Sequence, residues 1–172
     1  MDVNIRSESI NDYKGITEVN DLAFGQINEG LLVEKLRNTD RFDRRLSLVA
    51  EYNNKIVGHI LFYPVFIRYK SLNHESLSLA PMSVLPNYQN HRIGSRLIER
   101  GVETAKNLGY RSVTVLGHPE YYPKFGFRPA SRWNIFAPFE VPDPAFMVLE
   151  LEEGELEAVQ GVVIYPKEFN EL

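Results

Sequence analysis

The chain of 172 residues contains no cysteine, which removes disulfides, thiolate metal ligands and a cysteine nucleophile together. It also lacks a long apolar run. The N-terminal MDVNIRSES carries no apolar core of signal-peptide length, and no window approaches the ~20 apolar residues that span a bilayer. A cytoplasmic protein with no membrane partner is expected. Nor is positive charge in excess: 19 Lys and Arg against 23 Asp and Glu give a net charge of −4. With the basic residues scattered, attraction of a phosphate backbone has little support, and no nucleic-acid partner is expected. Three catalytic signatures are missing, namely GxxxxGK[ST], HExxH and GxSxG. The four histidines, His59, His74, His91 and His118, have no paired spacing for a metal, and none is expected.

What remains is ordinary globular material, 44% hydrophobic and 24% charged, without repeats or a linker. At this length it supports one core, so a single domain over residues 1–172 is expected. A short strand at Val3 to Arg6 precedes a helix that carries Ile16, Val19, Leu22 and Ala23 on one face and ends at Gly25. A second helix, Glu29 to about Asn38, presents Leu31, Leu32 and Leu36. Leu46 to Glu51 and Lys55 to Tyr63 read as an antiparallel hairpin around Asn53-Asn54, since asparagine tolerates the positive φ of tight turns. Pro64 interrupts, and Val65 to Tyr69 resumes the extended pattern.

In Ser76 to Val84 the apolar residues step from Leu77 and Leu79 to Met82 and Val84, which predicts a bulge at Pro81. A helix over Ile93 to Leu108 follows, with its apolar stripe on Ile93, Leu97, Ile98, Val102 and Ala105. Arg111 to Leu116 should form a strand parallel to its predecessor, and Glu120 to Phe125 a short helix. From Phe127 onward a proline-punctuated loop of about sixteen residues carries Trp133, Phe136 and Phe139. Loops of that length are more often functional than idle. Phe146 to Leu151 and Val159 to Tyr165 close the sheet.

Two stretches carry the chemistry. Ser83 to Ser95 reads SVLPNYQNHRIGS, a strand end feeding a polar loop and then a helix N-terminus. That order makes a ready anion site and suggests a phosphate-bearing cofactor. About thirty residues on comes YYPKFGF, Tyr121 to Phe127. The pair, in this order and spacing, resembles the GNAT superfamily of acyl-CoA N-acyltransferases.

The resemblance implies an α/β, mixed and centrally splayed sheet of six to seven strands with helices on both faces. It implies acetyl-CoA as cosubstrate, with its pyrophosphate on the loop Gln89, Asn90, His91, Arg92, Ile93, Gly94 and Ser95. In this loop Arg92 stands where the family has its first glycine. Val84 and Leu85 match the strand end whose backbone pairs with the pantetheine arm. Tyr122, four residues before Gly126, matches the tyrosine that protonates the departing thiolate. Many members use a carboxylate on the fourth strand as general base, but here that strand holds Ser76, Ser78 and Ser83. His118, at the end of the fifth strand, is the first choice and Glu120 the second. The implied activity is transfer of an acetyl group from the thioester to a primary amine of a small molecule or peptide. A non-catalytic acyl-CoA-binding or regulatory domain is the alternative, and a homodimer is left open.

Overall fold

In a computed structural model the described chain, residues 1–171, folds as two compact units. The first comprises Met1–Tyr63, Ala80–Thr104 and the C-terminal stretch from Lys167, and the second Pro64–Leu79 and Ala105–Pro166.

The first unit holds β1 (Asn4–Ser7), α1 (Tyr13–Phe24), α2 (Asn28–Arg37), β2 (Ser47–Tyr52) and the start of β3 (Lys55–Tyr69). It also holds the end of β4 (Leu72–Val84) and most of α3 (Ile93–Asn107). β1 pairs antiparallel with β2, and β2 with β3 across the two-residue turn Asn53-Asn54, whose φ values are 49° and 62°. Both asparagines therefore take the left-handed conformation that matches hairpin twist. The β2–β3 register passes from Ala50↔Gly58 to Glu51↔Ile56, which leaves Val57 as an extra residue.

At Pro81, where the bulge was expected, the Ala80-Pro81 peptide bond is cis. In β4 Ser76, Leu77, Ser78 and Leu79 are all buried, and from Ala80 on half-buried Ala80, Met82 and Val84 alternate with buried Pro81, Ser83 and Leu85. The strand runs on past Pro81 to Val84. Pro64 does not interrupt β3 either, because proline's φ suits an extended chain and only its N–H is missing.

Alternation along β3 places a helical layer on each face. Leu61 and Tyr63, with Val49, pack among Ile16, Leu32, Val33 and Leu36 of α1 and α2. On the other face Gly58 and Phe62 meet α3. A Cβ on Gly58 would stand 3.1 Å from both Ile93 Cγ2 and Leu97 Cδ1, and one on Gly101 only 2.1 Å from Phe62 Cε2. Leu22 and Leu31, expected inside, are exposed, and Val33 and Asn20 are buried instead. At 100° per residue the apolar arc of α2 is centred on Leu32, Val33 and Leu36, which leaves Leu31 outside it.

The second unit holds the end of β3, the start of β4, then β5 (Ser112–Leu116), β6 (Arg128–Pro129), β7 (Ile135–Phe136), β8 (Phe146–Glu150) and β9 (Gly161–Ile164). β5 is parallel to β4 through two registered pairs, Leu77↔Val113 and Ser78↔Thr114, yet antiparallel to β8 along its whole length. β9 closes on the end of β3, and β7 runs parallel to β9. Among the described residues nine strands form an open mixed sheet, two of them only two residues long. Those two short strands come from the segment read as loop, which also contains 3-10 turns at Ala130–Trp133 and Asp143–Ala145. The expected helix at Glu120 to Phe125 is a 3-10 turn, Tyr122–Phe125, capped by Gly126 at φ 97°. Trp133 packs against a core of Val65, Ile67, Ile135, Val148 and Val163.

Candidate functional site

In the first unit the end of β4 turns through a 3-10 turn, Pro86–Tyr88, into the loop before α3. Leu85 is locked there by its backbone. Its N–H donates to the Val57 carbonyl at 2.9 Å and its carbonyl accepts from Tyr88 N–H at 2.8 Å. The bulged residue of β3 thereby holds the strand end. Gln89 Nε2 donates to the Val84 carbonyl at 3.1 Å, an exposed bond that another donor can replace. Of the two residues assigned to backbone pairing, Val84 has its carbonyl in this exposed bond, whereas Leu85 has both backbone groups in bonds within the first unit. Leu85, 4% exposed, anchors the turn.

Asn90 and Arg92 both adopt left-handed backbone, φ 65° and 62°. Arg92 therefore keeps the conformation that a glycine at this position would supply without strain. For a residue with a Cβ that conformation costs ~1–2 kcal/mol, and surrounding structure holds it. The Arg92 carbonyl accepts the first α3 bond, from Arg96 N–H at 3.0 Å. Ile93, Gly94 and Ser95 thus form the first turn, whose N–H groups an α-helix leaves without intrahelical carbonyls. Ile93 is buried against Gly58, fixing the helix end, while Asn90, His91 and Arg92 are exposed. Arg92→Gly should raise stability by ~1 kcal/mol, a Tm rise of ~2–4 °C. The same scan with acetyl-CoA present should show the ligand-induced increment retained. A fall in Tm would mean that the arginine side chain, rather than the backbone, holds the loop.

In the second unit Tyr122 is 7% exposed, its ring edge-on to Tyr121 at 5.3 Å and to Phe127 at 5.5 Å. Burial, with a smaller contribution from the Tyr121 hydroxyl, pushes the Tyr122 phenol up to about 12. It therefore carries its proton throughout the neutral range. His118 lies at the end of β5, exposed, and its carbonyl accepts from the N–H groups of Tyr121 and Tyr122 at 3.1 and 3.3 Å. Glu120 is also exposed.

Gly117 has a steric role. A Cβ there would stand 2.4 Å from Tyr122 Cε2, so the ring lies directly over the glycine. Gly117→Ala should displace the Tyr122 ring and lower kcat by more than about tenfold, with acetyl-CoA affinity retained. Unchanged kcat in a folded variant would show that the ring position is immaterial.

The aromatic segment after β6 borders an open cavity of about 530 Å³ lined by Phe136, Phe139, Glu140, Asp143 and Phe146, among others. Trp133, grouped with these phenylalanines from the sequence, belongs instead to the core beneath. Two features escaped the sequence reading, the contacts of Tyr165 and the burial of Ser83. Tyr165, just past β9, stacks on Phe139 at 6.0 Å and 20° and hydrogen-bonds Ser78. Their sequence separation left no local signal. Ser83 Oγ is buried without a partner. Among the described residues no group of three or more His, Asp or Glu is placed to hold a metal ion, and no helix is long and apolar enough to cross a membrane.

Residues 15–127 match the Acetyltransferase (GNAT) family, and the chain belongs to that family. The relatives agree. It is 38% identical to the uncharacterised N-acetyltransferase YjhQ of Escherichia coli K12 over 77% of this chain and 74% of that one. It is 30% identical to the uncharacterised N-acetyltransferase YhbS of the same strain over 96% and 98%. The crystal structure of Escherichia coli YhbS in complex with CoA superposes with a TM-score of 0.91 at 28% identity, covering 99% of this chain and 93% of that one. A GNAT family acetyltransferase from Brucella melitensis, in complex with acetyl-CoA, gives 0.80 at 31% identity, covering 98% of each chain.

Proposed function

We propose that the protein is an N-acetyltransferase that moves an acetyl group directly from acetyl-CoA to a primary amine. The observation that carries this reading is the loop before α3, where Asn90 and Arg92 hold left-handed backbone. Successive N–H groups at a helix N-terminus suit a pyrophosphate. The CoA and acetyl-CoA complexes of the two structural relatives support it. Gln89, Asn90, His91, Arg92, Ile93, Gly94 and Ser95 bind the phosphates, and Val84 offers backbone groups to the pantetheine amides, with Leu85 as their anchor.

In the reaction the amine nitrogen attacks the thioester carbon and the C–S bond breaks. Tyr122 Oη gives its proton to the leaving thiolate and regains one from solvent. The attacking amine loses its proton to a base, and His118 is the candidate. Its exposure and its place at the end of β5 suit transfer through water.

The buried stretch of β4 supports a second reading. It offers Ser76, Ser78 and Ser83 and no carboxylate, which suits a domain that binds acyl-CoA without turning it over. Thiol release from acetyl-CoA, followed across a panel of polyamines, amino acids, aminoglycosides, arylalkylamines and peptide N-termini, separates the two. Turnover with an acceptor establishes the enzyme. Calorimetric binding of acetyl-CoA with no release above hydrolysis across the panel establishes the binding domain.

A further inference from the structure

The cavity of the second unit is joined on one side to a residue assigned to chemistry and on the other to β4. On one side Phe146, in its wall, pairs with Leu116 of β5. The carbonyl of the preceding Ala145 accepts from Gly117 N–H at 2.9 Å, and Gly117 is the residue over which the Tyr122 ring lies. On the other side Phe139, also in the wall, stacks on Tyr165. Tyr165 hydrogen-bonds Ser78, at the last registered pair of the β4–β5 ladder. One wall is thus tied by backbone to the proton donor, the other by a ring stack and a hydroxyl bond to β4.

The lining has a definite chemistry. Phe136 and Phe139, each 48% exposed, and the mostly buried Phe146 supply aromatic surface. Glu140 and Asp143 supply two carboxylates, and no lysine or arginine is among the lining residues. Aromatic faces and carboxylates both attract an ammonium group, whereas the apolar walls favour a hydrocarbon body over a hydroxylated one. We propose that this cavity is the acceptor subsite and that it selects a cationic primary amine borne on an apolar, ring-sized body, an arylalkylamine or its aliphatic equivalent. An amino acid is disfavoured because its α-carboxylate meets Glu140 and Asp143, and an aminoglycoside because its hydroxyls would be stripped of water against phenylalanine. The assignment rests on the reading of the protein as an amine acetyltransferase, and its ligand binding can be measured apart from turnover.

Titration calorimetry of the intact chain with phenethylamine, 2-phenylethanol and phenylalanine compares one ring with a cation, with no charge and with an added anion. Phenethylamine should bind tightest and phenylalanine weakest. Glu140→Gln and Asp143→Asn, both at exposed positions, should each raise the Kd of phenethylamine by about two- to fivefold and leave that of 2-phenylethanol unchanged. Phe139→Ala should weaken both. In thiol-release assays the carboxamide variants should raise KM for phenethylamine by the same factor with kcat retained. Equal affinity for phenylalanine and phenethylamine, or carboxamide variants with unaltered phenethylamine Kd, overturns the assignment. The binding pattern without any thiol release would keep the amine pocket and reject the transferase reading. Release with acceptors whose KM ignores all three variants would do the reverse.

Discussion

Tyr122→Phe should lower kcat by about 10²- to 10⁴-fold, the usual contribution of a positioned general acid, while acetyl-CoA affinity stays close to that of the parent. Only an oxygen is removed, from a ring already fixed by Gly117, Tyr121 and Phe127. The chain supplies its own control. Tyr121 is half-buried and contacts the same turn, so Tyr121→Phe should change kcat little. Because burial holds the Tyr122 phenol up at about 12, its ionisation should not produce a fall of kcat between pH 8 and 10. A fall in that range belongs to another group. Pre-steady-state measurement of the chemical step decides the matter, since slow product release would mask a smaller change. A Tyr122→Phe protein with full chemical rate removes the residue from the reaction.

A second large effect concerns stability in acid. His59 is fully buried in the first unit, its Nε2 2.9 Å from Ser47 Oγ and its Nδ1 3.4 Å from Asn20 Nδ2. Burial first, and the Arg37 guanidinium second, hold it down at about 3, against 6.5 for a free imidazole. Arg37 is itself paired with buried Glu8 at 2.7 Å. Below pH 6.5 the unfolded chain takes up a proton on His59 that the folded chain refuses. Stability contributed by the neutral ring is therefore fully present above 6.5 and lost progressively as pH falls toward 3. At about 1.4 kcal/mol per pH unit the loss by pH 4 is on the order of 3 kcal/mol. Asp12 and Asp43, held low by their bonds to Arg6 and Arg45, add acid sensitivity as pH falls through the ordinary carboxyl range, so the slope from 6.5 to about 5 reports His59. Urea denaturation of the parent should show this slope, and His59→Gln should flatten it whatever its stability at pH 8. An unchanged slope in His59→Gln would place the sensitivity elsewhere.

Much of the candidate site was visible as pattern. The spacing of QNHRIG and YYPKFGF singled out the loop and Tyr122 as candidates because both are local patterns, a strand end, a turn and a helix start within a dozen residues. The departure at Arg92 could not be judged from letters alone. Whether arginine closes the loop depends on φ, and at 62° it keeps the turn that glycine would make. Other readings failed where burial, rather than local propensity, decides. Leu22 and Leu31 look like core and are exposed, while Asn20 is buried through bonds to Ile16 and His59 that lie outside any helical pattern.

By itself the sequence determined the main helices and longer strands, the hairpin at Asn53-Asn54, the α3 stripe and the identity of the family. Each is written in residues near one another, as turn chemistry, apolar period or motif spacing. Tertiary structure alone decided which residues share a wall. Val57 bulges from β3 to hold Leu85, and Ser78, Phe139 and Tyr165 meet from segments up to 87 residues apart. Phe136 and Phe139 face a cavity while Trp133 lies beneath it. Such placements follow from strand pairing and side-chain packing between distant segments, for which neighbouring residues carry no signature.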